Sequence, residues 1–106
     1  MGDFDCKIDN AQIGNGSAQI VGVSNLEEAV FAAKELYENG IDCIELCGAF
    51  GKNGAKEIVK ATENRIPIGY ITHLPEQDEL YRVYTFECFN CALCTTVLFC
   101  RCNATG

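Results

Sequence analysis

Hydrophobic positions between residues 18 and 74 form three short apolar runs and one helical stripe. The runs are AQIVGV (18–23), IDCIELCG (41–48) and RIPIGYITHL (65–74), and their length and composition are typical of buried strands. Between the first two runs, SNLEEAVFAAKELYENG repeats apolar residues at the spacing of an α-helix. The stripe consists of Leu26, Ala29, Val30, Ala33, Leu36 and Tyr37. The pattern therefore predicts a strand, an amphipathic helix and a second strand.

The ends of the first helix carry recognisable signals. Ser24, followed three residues later by Glu27, is typical of a capping box, and Gly40 is typical of a helix C-terminus. A second helix over AKEIVKATEN (55–64) has room for about three turns. Crossovers of this length join parallel strands in a right-handed sense. The predicted fold is thus α/β, a small β-α-β-α-β core with a mainly parallel sheet.

The two ends of the chain differ from this core. In the polar lead, Phe4, Cys6 and Ile8 alternate with charged residues, which favours a short edge strand. After Pro75, EQDELYRVYTFE favours another edge strand, and a cysteine-rich tail follows it. We therefore predict a single domain over residues 1–106, made of the polar lead (1–17), the α/β core (18–75) and a C-terminal extension (76–106), with extra edge strands from the terminal segments.

Composition and charge exclude several classes of function. The net charge is −7, from 15 acidic and 8 basic residues, which opposes nucleic-acid binding through a basic surface. An apolar run of about 20 residues is absent, so no membrane-spanning helix is predicted. MGDFDCKIDN lacks the basic and apolar regions of a secretory signal, and eight cysteines then favour the reducing cytoplasm. A three-strand sheet leaves open edges and apolar faces, which predicts a homo-oligomer.

The carboxyl edge of the predicted sheet is the first candidate site, because ligands of open parallel sheets bind there. In the loop GAFGKNG (48–54), glycines allow backbone N–H groups to approach an anion and a lysine adds positive charge. The spacing matches neither the dinucleotide-binding nor the P-loop pattern, so no nucleotide is specified. A tight turn that needs glycine for its geometry would produce the same pattern without a ligand. The residues predicted to bind a small anionic molecule are Gly48, Gly51, Lys52 and Gly54.

Three residues at the same edge are candidates for catalysis. Glu45 in an apolar strand is a possible general base, Cys47 a possible nucleophile, and His73, the single histidine, a natural proton carrier. An enzyme that uses Cys47 or Glu45 with His73 is therefore the alternative to a binding protein. The corresponding structural roles are an ion pair of Glu45 with Lys52 or Arg65, a buried Cys47 and a solvated His73.

The C-terminal stretch CFNCALCTTVLFCRC (88–102) is the second candidate site. Its first three cysteines resemble the beginning of a ferredoxin iron–sulfur motif, but the spacing to the fourth is five residues instead of three. Two of the first three, together with the last two, would supply four zinc ligands. The stretch is also compatible with palmitoylation, with disulfides, and with a buried or β-paired end whose cysteines pack as small apolar residues. The predicted ligands of zinc or an iron–sulfur cluster are Cys88, Cys91, Cys94, Cys100 and Cys102.

Residues 19–71 resemble a family of small prokaryotic proteins of unknown function, about 100 residues long. The specific part is IELCGAFG (44–51), which is similar to the ELCGGFG-like hallmark of that family and follows VGV and an amphipathic helix. The resemblance implies a compact α/β fold and draws attention to Glu45, Cys47, Gly48 and Gly51. It implies no activity. The polar lead lacks the apolar first strand typical of the family, and the cysteine tail has no counterpart in it.

Overall fold

The computed structural model describes residues 4–14 and 16–82, together with the backbone of residues 96–101. The helices are α1 (Leu26–Glu38) and α2 (Gly51–Ala61), with 3₁₀ turns at Gly48–Phe50 and Pro75–Gln77 and a further helical segment over 78–82. The strands are β1 (Asn10–Ile13), β2 (Ala18–Val23), β3 (Cys43–Leu46), β4 (Ile68–Tyr70) and β5 (Thr96–Arg101). The protein therefore belongs to the mixed α/β class, as predicted.

The described strands form one five-stranded sheet in the order β1-β2-β5-β3-β4. Of their pairings, only that of β3 with β4 is parallel, whereas the other three are antiparallel. The prediction of a mainly parallel β-α-β-α-β core is therefore wrong. The physical reason is that β5 lies between β2 and β3 and runs against both of them. Consequently β2 and β3 still point in the same direction across the α1 crossover, but they are not neighbours.

Both terminal segments supply strands, although not where the sequence predicted them. The N-terminal edge strand is β1, while residues 6–8 form a turn, so the strand predicted over Phe4–Ile8 is wrong. The C-terminal strand β5 is central and not an edge. Residues 75–82 are helical instead of extended, because Pro75 occupies the first helical position and Glu79 pairs with Arg82 one turn later at 2.7 Å.

The two helices contact each other and pack on one face of the sheet. Strand β3 shows the resulting division, since Ile44 and Leu46 are 0 % exposed whereas Glu45 between them is exposed. The hydrophobic core lies between the helices and this face. It consists of Val21, Val23, Ala29, Ala32, Ala33, Leu36, Ile41, Ile44, Leu46, Phe50, Ala55, Ile58 and Ala61.

Helix α1 begins one residue later than its predicted cap. The cap is Asn25, whose side chain accepts a hydrogen bond from the backbone N–H of Glu28 at 2.8 Å. The box predicted from Ser24 and Glu27 is therefore wrong by one position. The helix ends as predicted at Gly40, whose φ of 90° is accessible to glycine without strain.

Helix α2 begins at Gly51, four residues before the predicted start. Together with the 3₁₀ turn at Gly48–Phe50, this start places the predicted glycine loop in two helical turns that meet at Gly51, whose φ of 63° and ψ of −174° are not helical. Among the described residues, no helix has the length and apolar character that crossing a membrane requires.

Candidate functional site

The carboxyl ends of β3 and β4 lie side by side. In the parallel register Leu46 pairs with Tyr70, and the N–H of Ile71 donates to the carbonyl of Leu46 at 3.0 Å. A Cβ added to Gly48 would lie 3.3 Å from the carbonyl oxygen of Ile71, so the two strand ends stay close beyond the pairing. His73 follows two residues later. This pair of strands therefore provides the open carboxyl edge that the sequence predicted.

The helix that starts at this edge has no side-chain cap. Neither Cys47, before the 3₁₀ turn, nor Phe50, before α2, makes a capping hydrogen bond, and the first turns contain no acidic residue. Helix α1 differs, because Asn25 caps it and two glutamates occupy its first turn. A helix N-terminus carries partial positive charge on its N–H groups. Lys52 is exposed in the first turn of α2 and adds a full charge.

The glycines of this helix start have different roles. Gly51 has φ 63° and ψ −174°, a conformation essentially restricted to glycine. A Cβ there would meet no atom of the described residues within 4 Å, so the space above Gly51 is open. Gly54 is buried, and a Cβ on it would lie 3.1 Å from the side chain of Phe50. Packing therefore explains Gly54, whereas Gly48 and Gly51 lie at the open edge.

His73 is held by two residues that the sequence pattern did not indicate. Its Nε2 lies 2.6 Å from Oδ1 of Asp78, and its ring stacks on Tyr81 with centroids 4.2 Å apart and planes 6° from parallel. Asp78 and Tyr81 are three residues apart, which places them on the same side of the helical segment that follows Pro75. Pro75 is the sequence signal for this helical segment, because proline is favoured at helix starts. The prediction of an extended strand over the same residues did not take this signal into account.

The other two catalytic candidates lie in different environments. Cys47 is half-buried at the end of β3, next to the uncapped helix start. Glu45 is exposed on the face of the sheet opposite α1 and α2, in register with Gly69 of β4. The structure thus brings Cys47 and Gly48 to the segment that leads into His73. It places Glu45 on the face of the sheet and not at its edge.

The cysteine tail lies largely beyond the described residues. Cys88, Cys91, Cys94 and Cys102 fall outside them, so the zinc or iron–sulfur site stays a prediction. Cys100 lies in β5, where its backbone is in register with Gln19 on one side and Ile44 on the other. The backbone of Cys100 is therefore β-paired, which was one of the alternatives for this stretch.

A second group of ligand-type side chains joins the N-terminal segment to α1. One ligand atom each of Asp5, Cys6 and Glu28 lies within 4.8 Å of the others. The Glu28 carboxylate accepts the backbone N–H groups of Cys6 at 2.9 Å and of Ser24 at 2.6 Å, and the bond from Cys6 is the main cause of its lowered pKa. Burial, followed by the charge of Glu28, raises the pKa of the Cys6 thiol. The two hydrogen bonds of Glu28 thus join the N-terminal segment to the end of β2 and the start of α1.

The structural role of Glu28 predicts a pH dependence of stability. A carboxyl whose pKa is lowered on folding stabilises the protein above its ordinary value of 4.5, and this contribution is lost as the pH falls through the folded-state value. Glu28→Gln is expected to lower stability at neutral pH and to flatten the stability profile in the acid range. Urea unfolding at pH 7 and at about pH 3.5 measures both effects.

Glu27→Gln is the matched control, because Glu27 is exposed in the same helical turn and carries the same charge. It is expected to leave the acid dependence almost unchanged. Equal flattening by the two variants would show that general charge, and not the clamp on the N–H groups of Cys6 and Ser24, causes the dependence.

Comparison with known proteins gives one match. Residues 1–85 match the model of a family of unknown function. The matched range contains the candidate edge, His73 and the helical segment over 78–82, and it ends before Cys88. No curated protein and no solved structure matches the chain.

Proposed function

Because this chain belongs to the DUF6506 family, whose function is unknown, we propose its function from geometry: it binds a small anionic molecule at the carboxyl edge of β3 and β4. The observation that carries the proposal is the helix start at Gly48–Lys52, which has neither a side-chain cap nor an acidic residue in its first turns. An anion supplies the negative charge that such a helix start otherwise takes from the protein.

The space around this helix start supports the proposal. Gly48 lets the end of β4 approach closely, and no atom of the described residues lies within 4 Å of the position where a Cβ of Gly51 would stand. The N–H groups of Phe50 and Gly51 already donate to the carbonyls of Cys47 and Gly48, so the proposal places the anion on the other N–H groups of this helix start. Lys52 contributes a positive charge at the same turn. Because the overall charge is −7, a site for an anion needs such local positive charge.

His73 is the residue best suited to select among anions. Its bond to Asp78 uses Nε2 and, together with the stacking on Tyr81, fixes the imidazole ring, so that Nδ1 is the ring nitrogen left for a ligand. A fixed ring contributes a directed hydrogen bond at little cost in side-chain entropy. In this proposal His73 orients the ligand, and the helix start binds its negative charge.

The contact between His73 and Asp78 also favours a second candidate function. An imidazole held by a carboxylate is the arrangement that orients a general base, and the Cys47 thiol on the neighbouring segment is a nucleophile type. The alternative is therefore an enzyme that uses Cys47 with His73. For this function, both Cys47→Ala and Asp78→Asn must reduce turnover of an identified substrate. Glu45 is a weaker participant because it lies on the sheet face.

A titration with inorganic phosphate tests the anion-binding proposal. We expect the backbone amide signals of residues 48–52 to shift in ¹H–¹⁵N NMR spectra and the melting temperature to rise with phosphate concentration. The decisive variant is Ala49→Asp, which places a carboxylate in the exposed first turn of the helix start. It should weaken phosphate binding about tenfold while it preserves or slightly raises stability, because an acid there satisfies the helix dipole.

Ala49→Asn is the control, since it has nearly the same shape as the aspartate variant without the charge. Phosphate binding that is equally strong in both variants would contradict the proposal. So would shifts located outside residues 48–52 and His73.

Three predictions from composition accompany the proposal. The proposal of a cytoplasmic location rests on the cysteine content of the sequence. Self-association is consistent with the face of the sheet opposite α1 and α2, where Ile13 of β1 is 53 % exposed. The acidic net charge argues against nucleic acid as a partner.

A further inference from the structure

Strand β4 lies at one end of the sheet, and β3 is its one partner among the strands that the structure describes. Toward β3, the carbonyl of Pro67 accepts a hydrogen bond at 3.0 Å and the N–H of Ile71 donates one at 3.0 Å. The backbone groups of successive residues point to opposite sides of a strand. Ile68 and Tyr70 therefore direct their N–H and C=O groups to the outer edge of β4.

The segment around β4 has none of the charged side chains that commonly protect edge strands. Residues 66–75 (IPIGYITHLP), which we call the edge segment, contain no Asp, Glu, Lys or Arg. Within it, Tyr70, Ile71 and Leu74 are 38 %, 51 % and 65 % exposed. The other edge strand, β1, is half polar and directly follows Asp9. The edge of β4 is thus the one whose composition favours pairing with a further strand.

The charges at the two ends of the edge segment are opposite. Arg65 directly precedes the segment and Glu76 directly follows it. Both side chains are exposed, and neither forms an ion pair within the part of the chain that the structure describes. In an antiparallel pair of edge segments, each arginine would lie near the glutamate of the other copy. A parallel pair would bring like charges together, which is unfavourable.

We propose that two copies of this chain form a dimer through β4, whose strands pair antiparallel about a two-fold axis. Such an interface uses the same surface on both copies, so the opposite charges at the two ends of one edge segment suffice to complement it. Two registers join outward backbone groups, one pairing Ile68 with the partner's Tyr70 and one pairing Tyr70 with the partner's Tyr70. Both place Arg65 opposite residues 73–75 of the partner, next to the partner's Glu76.

The pairing would join the two sheets into one and cover apolar side chains of both edge segments. This inference names the interface for the self-association proposed above and rests on that proposal. It is independent of the anion site.

Sedimentation velocity of the full-length protein tests the inference, in reducing buffer because eight cysteines could link copies covalently. Between about 5 and 500 µM we expect a monomer–dimer equilibrium, because a short strand pair gives a small interface. The decisive variant is Tyr70→Pro, which removes an outward N–H and leaves the bonds of Pro67 and Ile71 to β3 in place. Proline is tolerated on an edge strand where the N–H faces solvent. The dissociation constant should rise at least tenfold.

Gln12→Pro is the matched control on the other edge of the sheet. The carbonyl of Asp9 accepts the N–H of Gly22 at 2.8 Å, so the backbone of Gln12, three residues later, points away from β2. This variant should leave the dissociation constant unchanged. If Tyr70→Pro fails to fold, Tyr70→Lys, which places a charge on the edge, takes its place with Gln12→Lys as its control.

A charge exchange tests the antiparallel orientation. Arg65→Glu should raise the dissociation constant about fivefold, because it places like charges together at both ends of the interface. Adding Glu76→Arg to this variant should restore the wild-type constant to within about twofold. A purely structural role of Arg65 within one copy predicts no such recovery.

Each part of the inference has an outcome that would overturn it. A wild-type protein that is still monomeric at about 500 µM would overturn self-association itself. A dimer that the Tyr70 variant leaves intact would overturn only the β4 interface, and dissociation by the Gln12 variant instead would assign the contact to β1. A dimer that depends on Tyr70 but does not recover in the charge-exchange variant would overturn the antiparallel orientation.

Discussion

Leu46→Ala is expected to lower the free energy of unfolding by about 3 to 4 kcal/mol. Leu46 is 0 % exposed and lies in β3, which pairs with β4 on one side and β5 on the other. Its side chain belongs to the core between the sheet and the two helices. Removing it costs the transfer free energy of the lost methyl groups and leaves a cavity, because surrounding backbone in a central strand relaxes little. Urea unfolding followed by circular dichroism measures the change.

Leu80→Ala is the matched control for this prediction. Leu80 is 68 % exposed in the helical segment over 78–82, so the same truncation should change stability by less than about 0.5 kcal/mol. A cost for Leu46→Ala no larger than that of Leu80→Ala would contradict the placement of Leu46 in the core and of β3 in the interior of the sheet. The unfolding m-value should stay constant, because neither variant changes the surface exposed on unfolding appreciably.

Local signals predicted the elements of the core because each is encoded within a few residues. The helical stripe and Gly40 defined α1, and continuous apolar runs located β2, β3 and β4. Where two local signals competed, the prediction was displaced by one residue, as for Ser24 and Asn25 at the start of α1. The residues around Pro75 show the same limit, since a helix-start proline and an alternating apolar pattern compete in one segment.

The order of the strands could not be predicted from these signals. It depends on β5, which comes from the far end of the chain and pairs with β2 and β3. Periodicity identifies strands but not their partners, because pairing depends on long-range packing. The local pattern near the C-terminus was compatible with a β-paired end and also with other arrangements of the cysteines. For Thr96–Arg101, the long-range pairing with β2 and β3 shows that the backbone is a strand.

The candidate sites also contain features that local sequence could predict and features that it could not. The edge formed by β3 and β4 was predictable, because both strands and the intervening helix are local and their crossover is right-handed. The partners of His73 were not, since Asp78 and Tyr81 meet it only when their segment is helical. The position of β1 was also missed. Asn10 and Gln12 belong to a polar lead that is typical of solvated chain, and only long-range pairing with β2 makes this segment a strand.

Gly51→Ala is expected to destabilise the protein by about 1 to 3 kcal/mol, because the geometry of the helix start requires glycine at this position. At φ 63° and ψ −174°, Gly51 occupies a region that residues with a Cβ avoid. No atom of the described residues lies within 4 Å of the added Cβ, so a steric clash with these neighbours is not the cause. The cost arises from the backbone itself and is measured by urea unfolding.

Gly69→Ala is the control for Gly51→Ala. Gly69 lies in β4, where an added Cβ also meets no described atom within 4 Å and the backbone is that of a strand. Alanine there should be neutral or stabilising by up to about 1 kcal/mol, because it reduces the entropy of the unfolded chain. Equal effects of the two substitutions would contradict the argument from backbone conformation. If Gly51→Ala destabilises the protein but still binds phosphate at residues 48–52, then Gly51 serves the geometry of the helix start, and the N–H groups themselves bind the anion.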